Sequence, residues 1–374
     1  MAGIYIHIPF CKHKCKYCNF YSVASLSKMK NLVIAVEKEI ILRKDYCNNE
    51  PIETVYFGGG TPSLLSPDEL NKLLLTVKNN FQINNDAEIT LEINPDDVNI
   101  ENAKAWKNIG FNRVSLGVQS FDDNMLLKLG RQHTASISHK SLETLIKTDF
   151  KNISVDIIFG IPGLDNRTLV KSLKILIDYD IPHISAYALT VEPDTPLDIM
   201  IRKGKENAID DNSSASQFIL TMETLKDAGF VHYEISNYAK NGSYSIHNTN
   251  YWKNKIYLGI GPSAHSYNII SRQWNISNIE KYITAINSNH IPAEIEILSQ
   301  SQKCNEYIMT SIRTIWGTNL ENIKNNFGED YYHIIYKNSI PYLKNGFLNM
   351  KNQMLYLSGK GKLFADKITS DLFV

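Results

Sequence analysis

Cysteine is scarce in this chain, at five residues in 374. The small odd count argues against the disulfide framework that holds small secreted domains together. An excess of either charge is also missing. Lys plus Arg total 39 against 39 Asp plus Glu, a formal net charge of zero. That balance lacks the footprint of a nucleic-acid binder or of a protein held on an anionic membrane. No apolar run reaches the ~18 residues that cross a bilayer, and the first residues read as strand rather than signal peptide. Internal repeats and low-complexity segments are absent. At ~150 residues per domain the length suggests two or three domains, and the composition suggests a globular, cytoplasmic protein.

What is present is concentrated. Three of the cysteines, Cys11, Cys15 and Cys18, fall in one short loop with the spacing C-x3-C-x2-C. Cubane iron–sulfur clusters take four cysteine ligands. A loop of three can hold a [4Fe-4S] cluster and leave one iron open to a small molecule. Cys47 and Cys304 stand apart and read as incidental buried thiols.

Six β-rich apolar runs recur, at 4–8, 54–57, 88–93, 113–118, 153–159 and 183–189. Helical periodicity lies between them, for example at 29–42, 67–77, 100–109 and 167–177. Ser66-Pro67-Asp68-Glu69 supplies an N-cap, a first-turn proline and first-turn acids. Alternating strands and helices imply βα units around a parallel sheet. Six units are too few for a closed eight-stranded barrel, so the expected fold is α/β, an open (βα)6 partial TIM barrel. Beyond it, 213–228 reads as helix and 229–238 as strand, and 246–270 is rich in Gly, Asn and aromatics. From residue 300 the order is three helices, a hairpin at 347–357 and a last helix, which resembles a small winged-helix-like α+β domain. The expected division is 1–240 for the core, 241–299 as a connecting segment and 300–374 for the C-terminal domain.

In barrel-like folds, ligands bind at the C-terminal ends of the strands. Here those ends carry the cysteine loop, Gly58-Gly59-Gly60-Thr61-Pro62, Glu92 with Asn94-Pro95, Gln119-Ser120, Asp156, and Tyr187-Ala188. Glycines let backbone approach a ligand closely, and an Asp among apolar residues needs a partner. Any one of these has a bland reading, as a βα turn or a structural hydrogen bond. The coincidence over successive strands points to a single site.

On these residues the chain resembles the coproporphyrinogen dehydrogenase branch of the radical S-adenosylmethionine (SAM) superfamily, and its C-terminal part is similar to that branch's too. The resemblance implies a [4Fe-4S] cluster on Cys11, Cys15 and Cys18 and SAM at its open iron. It further implies SAM contacts from Tyr5, Tyr17, Gly59, Gly60, Thr61, Glu92, Gln119, Arg131, Asp156 and Ala188. Reductive cleavage of SAM to a 5′-deoxyadenosyl radical is the chemistry of that superfamily.

Two features divide the branch. Its decarboxylases resemble one another in a fourth cysteine two residues after the third, where this chain has Phe20, and in an extension ahead of the cluster. HemW-type heme chaperones lack both and carry H-N-x-x-Y-W, matched by His247-Asn248-Thr249-Asn250-Tyr251-Trp252. Imidazole is a common axial ligand to heme iron, and aromatic rings supply flat apolar surface. The resemblance therefore implies heme contacts at His247, Tyr251 and Trp252, although a histidine in an aromatic loop is equally a packing residue. The expected function is binding of heme and its delivery to heme-requiring proteins, including respiratory ones, with no catalytic residue assigned. An oxygen-independent coproporphyrinogen III dehydrogenase is the alternative enzyme reading. A nucleic-acid-binding or RNA-modifying protein is the third. Expected partners are heme, heme acceptors, an electron donor for the cluster, a second copy of the chain and peripheral membrane contact, with no nucleic acid.

Overall fold

The computed structural model describes all residues 1–374. Six parallel strands form its centre: β1 (Ala2–Ile8), β2 (Ile52–Gly59), β3 (Ile83–Ile93), β4 (Arg113–Gln119), β5 (Asn152–Phe159) and β6 (His183–Ala188). They are hydrogen-bonded in sequence order, with Tyr5 opposite Tyr56 and Gly117 opposite Asp156. The open α/β partial barrel is what the sequence implied.

Within these strands, apolar residues alternate with polar residues or glycine. Ile4, Ile6, Ile8, Val55, Phe57, Leu91, Val114, Leu116 and Val155 belong to one core of 58 buried residues shared with the helices. The intervening positions meet one another inside the barrel. Tyr5 stacks near Tyr56, Ser154 bonds His183, and Arg113 pairs with Glu88 at 3.8 Å. A closed eight-stranded barrel fills its interior with branched apolar side chains. This one is polar inside, so nearly every inward group must find a hydrogen-bond partner.

The helices follow local signals. Ser66 accepts from the Glu69 N–H and closes a capping box ahead of Pro67–Asn80. Gly110, at φ 114°, ends Ile100–Ile109 in the left-handed conformation that suits glycine. The segment 229–238, expected as one strand, is a hairpin of β7 (Val231–Glu234) and β8 (Asn237–Ala239), with β8 antiparallel to β6.

The segment 241–299, expected as a connector, extends the sheet instead. β9 (Tyr257–Ile260) pairs parallel with β1. It is followed by β10 (His265–Tyr267), β11 (Ser271–Asn275) and β12 (Ala293–Ile297), giving twelve strands in all. Before β9, a short helix, Ile246–Trp252, packs on β2. The aromatic composition there had no helical periodicity to reveal it.

From residue 300 the elements are helix Gln300–Ser311, β13 (Thr318–Asn319), helices Leu320–Phe327 and Glu329–Lys344, then β14 (Leu348–Lys351) and β15 (Met354–Leu357). The three strands form their own sheet in the order β13-β15-β14, over a separate cluster of ten buried residues. Helix, strand, two helices and a two-stranded wing is winged-helix topology. No helix in the chain is long and apolar enough to cross a membrane.

One buried carboxylate joins the added strands to the barrel. Glu39, fully buried, accepts from Gly261 N–H at 2.8 Å, Asn275 Nδ2 at 2.7 Å and the Tyr282 hydroxyl at 2.5 Å, and pairs with Arg43 at 3.4 Å. Arg43 in turn donates to the Gly259 carbonyl and to Gln273. Glu39→Ala strands these donors and leaves a buried guanidinium without its carboxylate. It is expected to lower unfolding free energy by about 3 kcal/mol, measured by urea denaturation. A loss below about 0.5 kcal/mol would contradict this role.

Candidate functional site

A cavity of about 420 Å³ opens at the C-terminal ends of the strands. The loop after β1 forms its mouth. That loop is pinned from several sides: Cys11 N–H donates to the Val23 carbonyl, Lys16 N–H to Leu129, and Lys12 Nζ reaches Asp97 at 2.5 Å. Cys11, Cys15 and Cys18 are free, half-buried and line the cavity.

The triple glycine serves this loop directly. A Cβ on Gly60 would lie 2.6 Å from the Phe10 carbonyl oxygen, and one on Gly59, at φ 113°, would lie 2.7 Å from the His7 ring. The absence of side chains therefore lets the backbone just before Cys11 rest on the loop after β2. Thr61 Oγ1 donates to Cys11 Sγ at 3.6 Å and accepts from Asn94 Nδ2 at 3.0 Å. Arg131 spans the far side, donating to Asn94 Oδ1 and the Gly117 carbonyl at 2.6 Å each and approaching Cys15 Sγ at 3.5 Å.

Tyr17, Gly59, Gly60, Thr61, Glu92, Gln119, Arg131, Asp156 and Ala188 line the same cavity as the cysteines. Gln119 sits at φ 67° where the β4–β5 register shifts, a bulge that re-aims a side chain at a strand end. Tyr5 is not a lining residue. Its hydroxyl bonds His7 Nδ1 at 3.0 Å, behind the glycine loop. Sequence reasoning assigned no role to Asn94 or Ser115. Asn94 links Thr61 to Arg131, and Ser115 donates to Asp156 at 3.3 Å. The alternation along β4 pointed Ser115 inward; Asn94 had only its place at a strand end.

Three carboxyls line the cavity, Glu92 on β3, Asp156 on β5 and Glu192 after β6. Burial pushes Asp156 up from the ordinary aspartate value. Burial, reinforced by Asp156, holds Glu92 at about 7 despite bonds from the Tyr56 hydroxyl at 2.8 Å and Gly59 N–H at 3.0 Å. Arg131 is committed to its own acceptors. Arg113 and Arg131 offset the effect of burial only in part, so both acids stay above their ordinary values and a ligand bearing positive groups suits them. Burial also pushes the Cys11 and Cys18 thiols up, an obstacle that metal coordination removes.

No three His, Cys, Asp or Glu side chains converge on one point as a mononuclear ion requires. The three thiols border a shared space instead, and each can take its own iron in a cluster. This donor set fits a [4Fe-4S] cluster with one open iron, and the acids beside it fit the ammonium and sulfonium of SAM.

The segment 247–252 lies elsewhere. His247 packs against Gly3 and Thr54, at the N-terminal ends of β1 and β2. From Gly3 to Ile8 is ~17 Å at 3.3 Å per residue, so His247 closes the end of the barrel away from the cysteine loop. It is buried, and its two ring nitrogens are taken at 2.8 Å each, Nδ1 by Thr54 Oγ1 and Nε2 by the Tyr251 hydroxyl. In this arrangement His247 is a buried, hydrogen-bonded packing residue, and an axial bond to heme iron would require the release of one of its two nitrogens. Tyr251 packs edge-to-face between His247 and Tyr257. His247 stacks on Tyr56 at 4.9 Å, and Tyr56 bonds Glu92. One row of contacts therefore runs from the closed end to the cavity. Trp252 points away from that row, its ring beside the Arg313 guanidinium at 5.9 Å.

The Radical SAM superfamily profile matches residues 5–176. The heme chaperone HemW of Bacillus subtilis is 32% identical over 372 residues, covering 98% of each chain. The heme chaperone HemW of Mycobacterium tuberculosis is 32% identical over 375 residues, covering 99% of this chain and 94% of its own. Among solved structures, coproporphyrinogen III oxidase (HemN) from Escherichia coli matches all of this chain and 90% of its own with a TM-score of 0.86 at 20% identity, a likeness of fold.

Glu92 makes stability depend on pH. Its folded value, near 7, lies above the unfolded value of about 4.5, so folding is opposed increasingly as pH rises from 4.5 to 7 and by a constant amount above 7. In the ligand-free protein, Glu92→Gln is expected to exceed the parent by about 3 kcal/mol at pH 8 and to lose most of that gain at pH 5. A gain that stays the same at both pH values, in thermal or urea unfolding, would contradict the assignment.

Proposed function

This chain belongs to the HemW family of the radical SAM superfamily, and from that premise we propose that it binds heme and hands it to heme-requiring proteins, respiratory enzymes among them. Cys11, Cys15 and Cys18 would hold the [4Fe-4S] cluster. Glu92, Asp156 and the segment 59–61 would receive the charged end of SAM, with Gln119 and Ala188 along the wall of the same cavity. When bound, cluster and SAM supply one-electron chemistry. The chain's own residues orient SAM, shield the cluster loop and keep two acids poised for a cation. Heme acceptors, an electron donor, a second copy of the chain and a membrane surface are the proposed partners, and the cytoplasm is the proposed location.

The observation that carries the choice of chaperone over decarboxylase is Phe20. It stands two residues after Cys18, where the decarboxylases of the branch resemble one another in a cysteine. Its side chain is 65% exposed at the cavity mouth. Full-length kinship to chaperones along 98% of the chain points the same way. An RNA-modifying role finds little support. The long helix of the winged unit, Glu329–Lys344, opens on Glu329 and Asp330 and carries no basic stripe.

The test uses anaerobically reconstituted protein, with Cys15→Ala as the cluster-free control. The parent is expected to bind hemin saturably and to leave coproporphyrinogen III unconsumed in the presence of SAM and a reductant, followed by porphyrin fluorescence. Protoporphyrin formation without saturable hemin binding would reverse the choice and make the chain a dehydrogenase.

A further inference from the structure

The cavity beside the cysteines leaves a second cleft unexplained. It measures about 470 Å³ and lies against the outer side of β6, within the size range of small-ligand sites, ~300–1,000 Å³. Phe159, Ala186 and Phe218 are buried and form an apolar floor. Arg313, Lys362 and Phe364 approach it from the C-terminal unit. Such a combination selects an amphipathic anion: apolar area gains from leaving water, and the cations answer its charge.

The two cations lack firm partners. Lys362 makes no ion pair within 4 Å; its ammonium donates to the His232 carbonyl at 3.3 Å, and burial pushes it down to about 8. The buried Glu234 faces both Lys362 and Arg313 but forms no ion pair within 4 Å of either, so the two cations share one acid there and a ligand carboxylate would be a further partner. Arg313 pairs with Asp366, whose side chain is 89% exposed, and Arg313 Nε is buried without a partner. Exposed pairs of that kind contribute little and are readily exchanged. Lys367, also at the rim, is already paired with Asp371 at 2.5 Å.

Position links the cleft to the first site. Ala188 lines both cavities, so a ligand here would sit one β-strand residue from the SAM cavity. Arg313 also stands over the Trp252 ring of the segment 247–252, at 5.9 Å. Heme has a broad apolar face and two carboxylates. We propose that this cleft is the heme site, with the ring on Phe218 and Phe364 and the carboxylates on Lys362 and Arg313; this rests on the heme-chaperone reading above.

The test is hemin titration of full-length, cluster-loaded protein, followed by Soret absorbance. Lys362→Gln removes the charge and shortens the side chain by one atom while keeping a hydrogen-bond donor, and Phe364→Ser removes a ring that is 49% exposed, so one variant at least should fold normally. Each is expected to raise the hemin Kd at least tenfold while leaving the SAM-induced EPR change intact. Metal-free protoporphyrin IX should compete with hemin. Hemin dimethyl ester should bind the parent about as weakly as hemin binds Lys362→Gln. Saturable binding by the parent with unchanged Kd in both variants would overturn the cleft and leave the chaperone reading standing. Ester binding as tight as hemin would overturn the carboxylate contacts. Absence of saturable hemin binding by the parent would overturn both the cleft and the chaperone reading.

Discussion

The need to satisfy polar groups inside a half-open barrel governs this structure. Its parallel strands turn apolar side chains outward to the helices and polar ones inward to each other. An unpaired polar group in that interior costs of order 1–3 kcal/mol. The row His247–Tyr56–Glu92–Gly59 answers that demand along the barrel axis. Glu88 extends it sideways by accepting the backbone N–H groups of Ile246 and His247. The helix at Ile246–Trp252 is thus bonded into the barrel from below, and it reaches the glycine loop through two side chains.

That arrangement explains why one end of the barrel is rigid and the other is receptive. At the closed end every nitrogen of His247 is used, and aromatic rings fill the space. At the open end burial keeps Glu92 and Asp156 above their ordinary values despite nearby Arg113, and the cysteine loop rests on glycine backbone. The cluster loop and the two strand carboxyls meet one cavity at the strand ends. The C-terminal winged unit adds a different surface, cationic and apolar, on the flank of β6.

Much of this was legible in the sequence, and the part that was not has a physical reason. The β-rich apolar runs at 113–118 and 153–159, the cap at Ser66 and the C-x3-C-x2-C loop are local patterns, and each marks an element or a site. Nine of the ten expected SAM residues, all but Tyr5, line the cavity for the same reason: strand ends in an α/β fold converge. The hairpin at Val231–Ala239 was read as one strand because its turn, Ile235–Ser236, carries no glycine or proline. The place of His247 was illegible because nothing local says which end of the barrel a segment 190 residues downstream will plug. The second cleft is assembled from residues 159 to 367, a separation that no periodicity spans.

The central claim is that His247 supports the strand-end cavity through Tyr56 and Glu92, with heme held in the second cleft as proposed above. The most direct measurement is EPR of the reduced, cluster-loaded His247→Ala variant with and without SAM, alongside its hemin absorption spectrum. The account predicts an intact cluster, a SAM-induced spectral change that needs at least fivefold more SAM, and a hemin spectrum like the parent's. An unchanged SAM response together with an altered heme spectrum would contradict it.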